Sequence, residues 1–243
     1  MWNDVIDLRD FYASPLGQVA RRMIRRQVRG AWSNVGGMNI LGIGYAPPFL
    51  SALRGEAERT IAAMPARQGV MHWPEDASGL TLLADEADLP FPDLFFDRVI
   101  MVHALECSDQ VTPMMREIWR VMSGNGRLLV VAPNRTGLWA RFERTPFGRG
   151  RPYSAAQLSR LLRESMFTPL RGLPALFVPP SRSRMLLSSA PAWENIGARW
   201  FPAMSGIVMM EATKQIYAAP PGVLGRKKAY LPAQSPGGGS SQG

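Results

Sequence analysis

Cysteine, histidine and lysine are all scarce in this sequence of 243 residues. A single cysteine, Cys107, excludes an internal disulfide framework and a multi-cysteine metal site. Two histidines, His72 and His103, leave no histidine-rich metal centre, so no metal is expected. No uninterrupted apolar run of about 18 residues occurs, which predicts no membrane-spanning helix. The opening stretch, MWNDVIDLRD, is acidic and lacks the basic-then-apolar order of a secretory signal. A cytoplasmic protein is the expectation. Apolar residues make up 46%, enough for a globular chain and too many for a disordered one. The length allows one large domain or two small ones.

Lysine is so rare that 25 of the 28 basic residues are arginines, the exceptions being Lys214, Lys227 and Lys228. The net charge of +9 is unevenly spread. Residues 1–53 carry +6 and −3, residues 54–110 carry +4 and −11, and residues 111–243 carry +18 and −5. An acidic middle before a strongly basic half suggests an anionic ligand, nucleic acid or an acidic surface as partner.

The pattern of elements is alternating. Residues 14–31 predict a helix, with Ser14 as cap and Pro15 in the first turn. Its arginines, 21, 22, 25, 26 and 29, suit either a solvated face or a phosphate-facing one. Residues 38–43 read as a buried strand, and GYAPPFLSALRG as a turn into a helix. Further strands are predicted at 59–64, 80–84, 97–105 and 126–132. Helices are predicted at VTPMMREIWRVM and at 154–165, capped by Ser154. PALFVPP and GIVMMEATKQIYA read as two late strands flanking a tryptophan-rich helical stretch. Strands alternating with helices argue for βαβ units and a parallel sheet. From Pro220 the composition collapses into Pro, Gly, Ser and Gln, as in a disordered tail.

Three segments carry chemistry. Gly42 and Gly44 follow the first strand, where a backbone can approach a ligand closely. The run Ala84 to Pro92, then Phe96-Asp97-Arg98-Val99, puts a carboxylate at the end of a third strand, in the crevice above the sheet. The third is Arg116 to Met122, then Gly124 to Leu129. In this order, from about Asn39 to Phe167, they resemble the class I S-adenosylmethionine-dependent methyltransferases, in a branch with many small-molecule enzymes. The resemblance implies a Rossmann-like α/β fold: a seven-stranded, mostly parallel sheet of order 3-2-1-4-5-7-6, strand 7 antiparallel, with helices on both faces. It divides the chain into an N-terminal helical extension (1–37), a methyltransferase-like domain (38–217) and a tail (218–243).

Carried over by motif, Gly42, Gly44 and Tyr45 would line the methionine part of S-adenosylmethionine. Asp85 would meet the adenine amine, Glu86 and Ala87 the adenine ring, and His103 would lie near the sulfonium. The sequence departs from the family where an acidic residue normally ends strand two and binds the ribose. Met64 stands there and is counted among the cofactor-lining residues. Losing that bidentate acceptor weakens binding by roughly 1.5–3 kcal/mol. The helix after strand two is also replaced by a short loop, VMHWPEDASG.

Displacement at a sulfonium needs positioning and a dry site more than elaborate catalytic groups. His103 is the candidate general base; a packed strand-end histidine is the plainer reading. Cys107 reads as a small buried apolar residue. Residues 134–153 hold five arginines with interleaved aromatics and would overhang the substrate edge of the sheet. Trp139, Arg141, Phe147, Arg149, Arg151 and Tyr153 are the candidate substrate-binding residues of this lid. The alternative is a structural loop whose arginines pair with the chain's own acidic middle. Three functions follow: methyl transfer to a small anionic or aromatic acceptor, a catalytically degenerate fold acting as a binding or regulatory protein, and RNA methyl transfer. The small-molecule acceptor is favoured over nucleic acid, because no amino-methylating motif or RNA-binding module is evident.

Overall fold

The computed structural model describes residues 3–181 and 183–215, so the expected tail at 218–243 lies outside the described residues. The N-terminal extension forms two helices, α1 (Val5–Ala13) and α2 (Pro15–Ala31). Ser14 serves both. Its Oγ donates to the carbonyl of Phe11 at the end of α1 and accepts from the amide of Gly17 at the start of α2. Gly17 has no room for a side chain, because a Cβ there would fall on the backbone of Phe11 and Tyr12. Val19, Ala20, Met23, Ile24 and Val28 of α2 are buried, and the arginine-bearing side faces outward. The helix is therefore amphipathic and anchored to the sheet.

Seven strands follow: β1 (Asn39–Gly44), β2 (Arg59–Pro65), β3 (Thr81–Ala84), β4 (Phe96–Val102), β5 (Met122–Pro133), β6 (Phe167–Ala175) and β7 (Ile207–Lys214). They form one sheet in the order β3-β2-β1-β4-β5-β7-β6, with β7 antiparallel to both neighbours. This is the architecture the resemblance implies. Continuous apolar runs in β1, β4 and β5 match burial on both faces. One face packs against α1, α2 and the single-turn helix α3 (Pro47–Leu50). The other packs against α4 (Val111–Val121) and α5 (Ala155–Glu164). A capping box between Ser154 and Gln157 starts α5. Lys214 closes the sheet with its ammonium on the Met122 carbonyl and 3.9 Å above the Trp119 ring.

Several element limits differ from the sequence expectation, and the strand expected at 126–132 already begins at Met122. Strand four stops at Val102 rather than 105, because His103 turns with φ +52. The late strand begins at Phe167, ahead of PALFVPP, because its pairing with β7 spans 167–175 and Leu176 (φ +62) ends it. The helix expected in GYAPPFLSALRG closes after one turn, with irregular turns following. Between β6 and β7 the chain inserts two helices, α6 (Arg184–Ser188) and α7 (Ala190–Trp200).

Candidate active site

The C-terminal ends of β1, β2 and β4 converge on His103. The left-handed turn at this residue swings its ring under the N-terminal helix, where it is fully buried. Its Nδ1 lies 3.1 Å from Glu106 Oε1, and its Nε2 lies 2.8 Å from the hydroxyl of Tyr12. Both contacts are satisfied when Nδ1–H donates to Glu106 and Nε2 accepts from the Tyr12 hydroxyl. Both partners are buried as well. Burial holds the Tyr12 phenol well above its ordinary pKa, with Tyr45 and Glu106 adding to the shift, so Tyr12 is a neutral donor here. The second oxygen of Glu106 is buried without a hydrogen-bond partner.

Aromatic rings and an amide wall off this centre. Tyr12 stacks on Tyr45 at 5.5 Å and meets Phe49 edge-on. Phe147 lies 4.8 Å from the His103 ring and is itself braced by Trp139. Gln68, just after β2, is buried and donates its side-chain amide to the His103 carbonyl. The Gln68 backbone carbonyl accepts from the Val5 amide, tying α1 to the segment after β2. Cys107 is buried beside Asn3, and burial, helped by Glu106, pushes its thiol up to about 12. Such a thiol is no nucleophile at neutral pH.

The remaining sequence-predicted residues are dispersed. Asp85 is exposed at the end of β3 and accepts from the Ala87 amide. Glu86 is turned inward, accepting from the Ser108 hydroxyl. Met64 lies fully buried at the end of β2. In the 134–153 segment, Trp139 and Phe147 are core residues, and Trp139 donates to the Val178 carbonyl. Arg149 pairs with Asp7 at 3.1 Å and Arg151 with Asp109 at 3.7 Å, both on the surface. Arg141 is exposed, and Tyr153 is half-buried. Two of the segment's arginines thus face the chain's own acids. Arg144 and Arg149 also line a cavity of about 700 Å3 together with Asp7, Asp10, Phe11 and Phe142. Phe147 and Tyr12 stand between that cavity and His103.

The fit of S-adenosylmethionine depends on the space around the two glycines. A Cβ on Gly42 would fall on Ala46 and Leu50, and one on Gly44 (φ +78) on the Val102 carbonyl and Ala104. Both positions therefore require glycine. The Tyr45 amide donates to the Val102 carbonyl instead of facing the cleft. Tyr12, Gln68 and His103 are buried nearby, and Met64 offers no carboxylate for a ribose. The residues at the ends of β1 and β2 offer backbone and apolar side chains to such a cofactor and no carboxylate from β2. Sequence reasoning missed Tyr12 and Gln68. The apolar spacing Val5, Leu8, Tyr12 was the signal that could have shown α1 and its buried phenol.

Comparison with known proteins extends this picture. Residues 27–130 match the methyltransferase domain family. Among curated proteins none matches the sequence. A Thermotoga maritima S-adenosylmethionine-dependent methyltransferase, described as a possible histamine N-methyltransferase, aligns with TM-score 0.62 at 18% identity over 87% of this chain and 96% of that one. An Archaeoglobus fulgidus S-adenosylmethionine-dependent methyltransferase aligns with TM-score 0.56 at 17% identity, over 80% and 94%. The Burkholderia thailandensis 1,6-didemethyltoxoflavin-N1-methyltransferase, solved with its substrate and S-adenosylhomocysteine, aligns with TM-score 0.55 at 15% identity, over 85% and 82%. These likenesses share the fold, and S-adenosylmethionine is the cofactor of the matching domain. By its sheet order the chain has the fold of the class I S-adenosylmethionine-dependent methyltransferases, and within it residues 27–130 match their methyltransferase domain.

Proposed function

We propose that this methyltransferase modifies a small aromatic or anionic acceptor that gives up a proton, with His103 as the base that receives it. The observation carrying the reading is the buried Tyr12–His103–Glu106 chain at the end of β4. A carboxylate on Nδ1 fixes the tautomer that leaves Nε2 as the acceptor. Tyr12 presents a phenol to that nitrogen, occupying the place of an acceptor hydroxyl. On this reading the acceptor's proton moves to Nε2, and Glu106 stabilises the imidazolium that forms. Phe147 and Tyr45 supply apolar walls that exclude water. Arg144 and Arg149, at the nearby cavity, suit a carboxylate or phosphate on the acceptor.

A second reading, a degenerate fold serving as a binding or regulatory protein, is favoured by Met64 in place of an acid at the end of β2. Calorimetric titration with S-adenosylmethionine and S-adenosylhomocysteine separates the two. The enzyme reading expects binding. No binding at millimolar ligand would leave the degenerate reading standing. If binding occurs, His103→Asn is expected to slow turnover by roughly 10²–10⁴ while cofactor affinity holds.

A further inference from the structure

The insertion between β6 and β7 carries an exposed apolar surface unlike the rest of the protein. Trp193, Ile196 and Trp200 lie along one flank of α7, spaced three and four residues apart. The stripe continues into Phe201 and Met204, and Met185 of α6 stands 77% exposed beside it. Gly197 and Ala190 form the buried seam that fixes the helix, with Phe177 against Gly197. The charges on this insertion are one-sided. Residues 176–206 hold three arginines and a single acid, Glu194. That acid is turned inward, accepting from the amides of Leu176 and Phe177. Arg184 and Arg199 are exposed, and the Arg199 guanidinium lies 5.9 Å from the Trp200 ring.

We infer that α6–α7 is a docking surface for an anionic lipid bilayer. Tryptophan rings favour the headgroup boundary, and arginines beside them add attraction to anionic lipid. The outer face presents no carboxylate among the described residues, so its charge complements such a surface. A second copy of this chain is a poorer occupant, because a symmetric contact would set arginine against arginine with the lone acid already engaged. No helix among the described residues is long and apolar enough to cross a membrane, so the hairpin would lie on the bilayer. Pro180 and Leu187 of the same insertion also wall the 700 Å3 cavity, which would open beside the lipid.

The full chain should co-sediment with phosphatidylglycerol-containing vesicles and much less with pure phosphatidylcholine. Its tryptophan emission should shift to the blue on binding. The exposed substitutions Ile196→Glu and Trp200→Glu should weaken partition by at least about tenfold, while the thermal midpoint stays that of the parent protein. Absence of binding to anionic vesicles at low salt overturns the proposal. Equal binding by the folded variants also overturns it, by placing the contact elsewhere, for example on the arginines of α2. Light scattering provides the third arm: a dimer abolished by the same substitutions assigns the face to a second copy instead.

Discussion

At the scale of the residue, one buried phenol and one buried thiol give the sharpest tests. Tyr12 satisfies the buried Nε2 of His103. Replacing it with phenylalanine keeps the ring packing and leaves that nitrogen without a partner. The expected loss is about 1–3 kcal/mol of stability, read from urea unfolding. An unchanged midpoint would show that the hydrogen bond contributes nothing net. Cys107 is the sole thiol, so its reactivity can be read without ambiguity. Buried and shifted up to about 12, it should resist iodoacetamide at pH 8 in the folded protein and react promptly in denaturant. Mass spectrometry distinguishes the two, and equal rates would show that the segment around Asn3 does not cover it.

At the scale of the element, α1 covers the His103 end of the sheet. It is held by Tyr12 on His103, by the Val5 amide on Gln68 and by the tight corner at Gly17. Gly17→Ala should force α1 away, because the new methyl meets backbone rather than a flexible side chain. The expected cost is about 1–3 kcal/mol, with faster amide exchange confined to α1. Parent-like exchange in that helix would mean that the corner relaxes by another route. The capping box of α5 is independent of the site. Ser154→Ala should cost about 1 kcal/mol in stability and leave ligand binding unchanged.

At the scale of the whole molecule, one ionic cluster ties the loop between β3 and β4 to α4. Glu117 of α4 accepts from Arg120 and from the Leu89 amide, while Arg120 also donates to the carbonyls of Leu89 and Phe91. These bonds fasten the β3–β4 loop, which follows Asp85 to Ala87, onto the helix. The Arg120 guanidinium, foremost among the causes, holds the Glu117 carboxyl below its ordinary value. A depressed folded-state pKa stabilises the native protein above the unfolded value of about 4.3, and that contribution is lost as pH falls further. Glu117→Gln should therefore lower the thermal midpoint at neutral pH and flatten its fall toward acid. Parallel acid limbs in the two proteins would remove Glu117 from that role.

Much of the architecture can be read from local pattern. The glycine-bounded run 38–43, the helical spacing of Met115, Ile118, Trp119 and Met122, and Ser154 before an amphipathic segment each act within a few residues. Their order carries the resemblance that implies the sheet topology. The limits of β4 and β6 were not legible, because a left-handed turn at His103 and pairing with β7 set them. Nor could composition say what the arginines of 134–153 face, since a guanidinium suits a ligand and a neighbouring carboxylate equally. The fold decided it for two of them by bringing Asp7 and Asp109 within reach of Arg149 and Arg151. The buried site has the same origin. Tyr12 and His103 are 91 residues apart in the chain, and local periodicity carries no information at that separation. Sequence by itself determined which elements form and in what order. Only tertiary packing decided that a phenol from the N-terminal helix sits on the histidine, because burial couples residues that are neighbours in space alone.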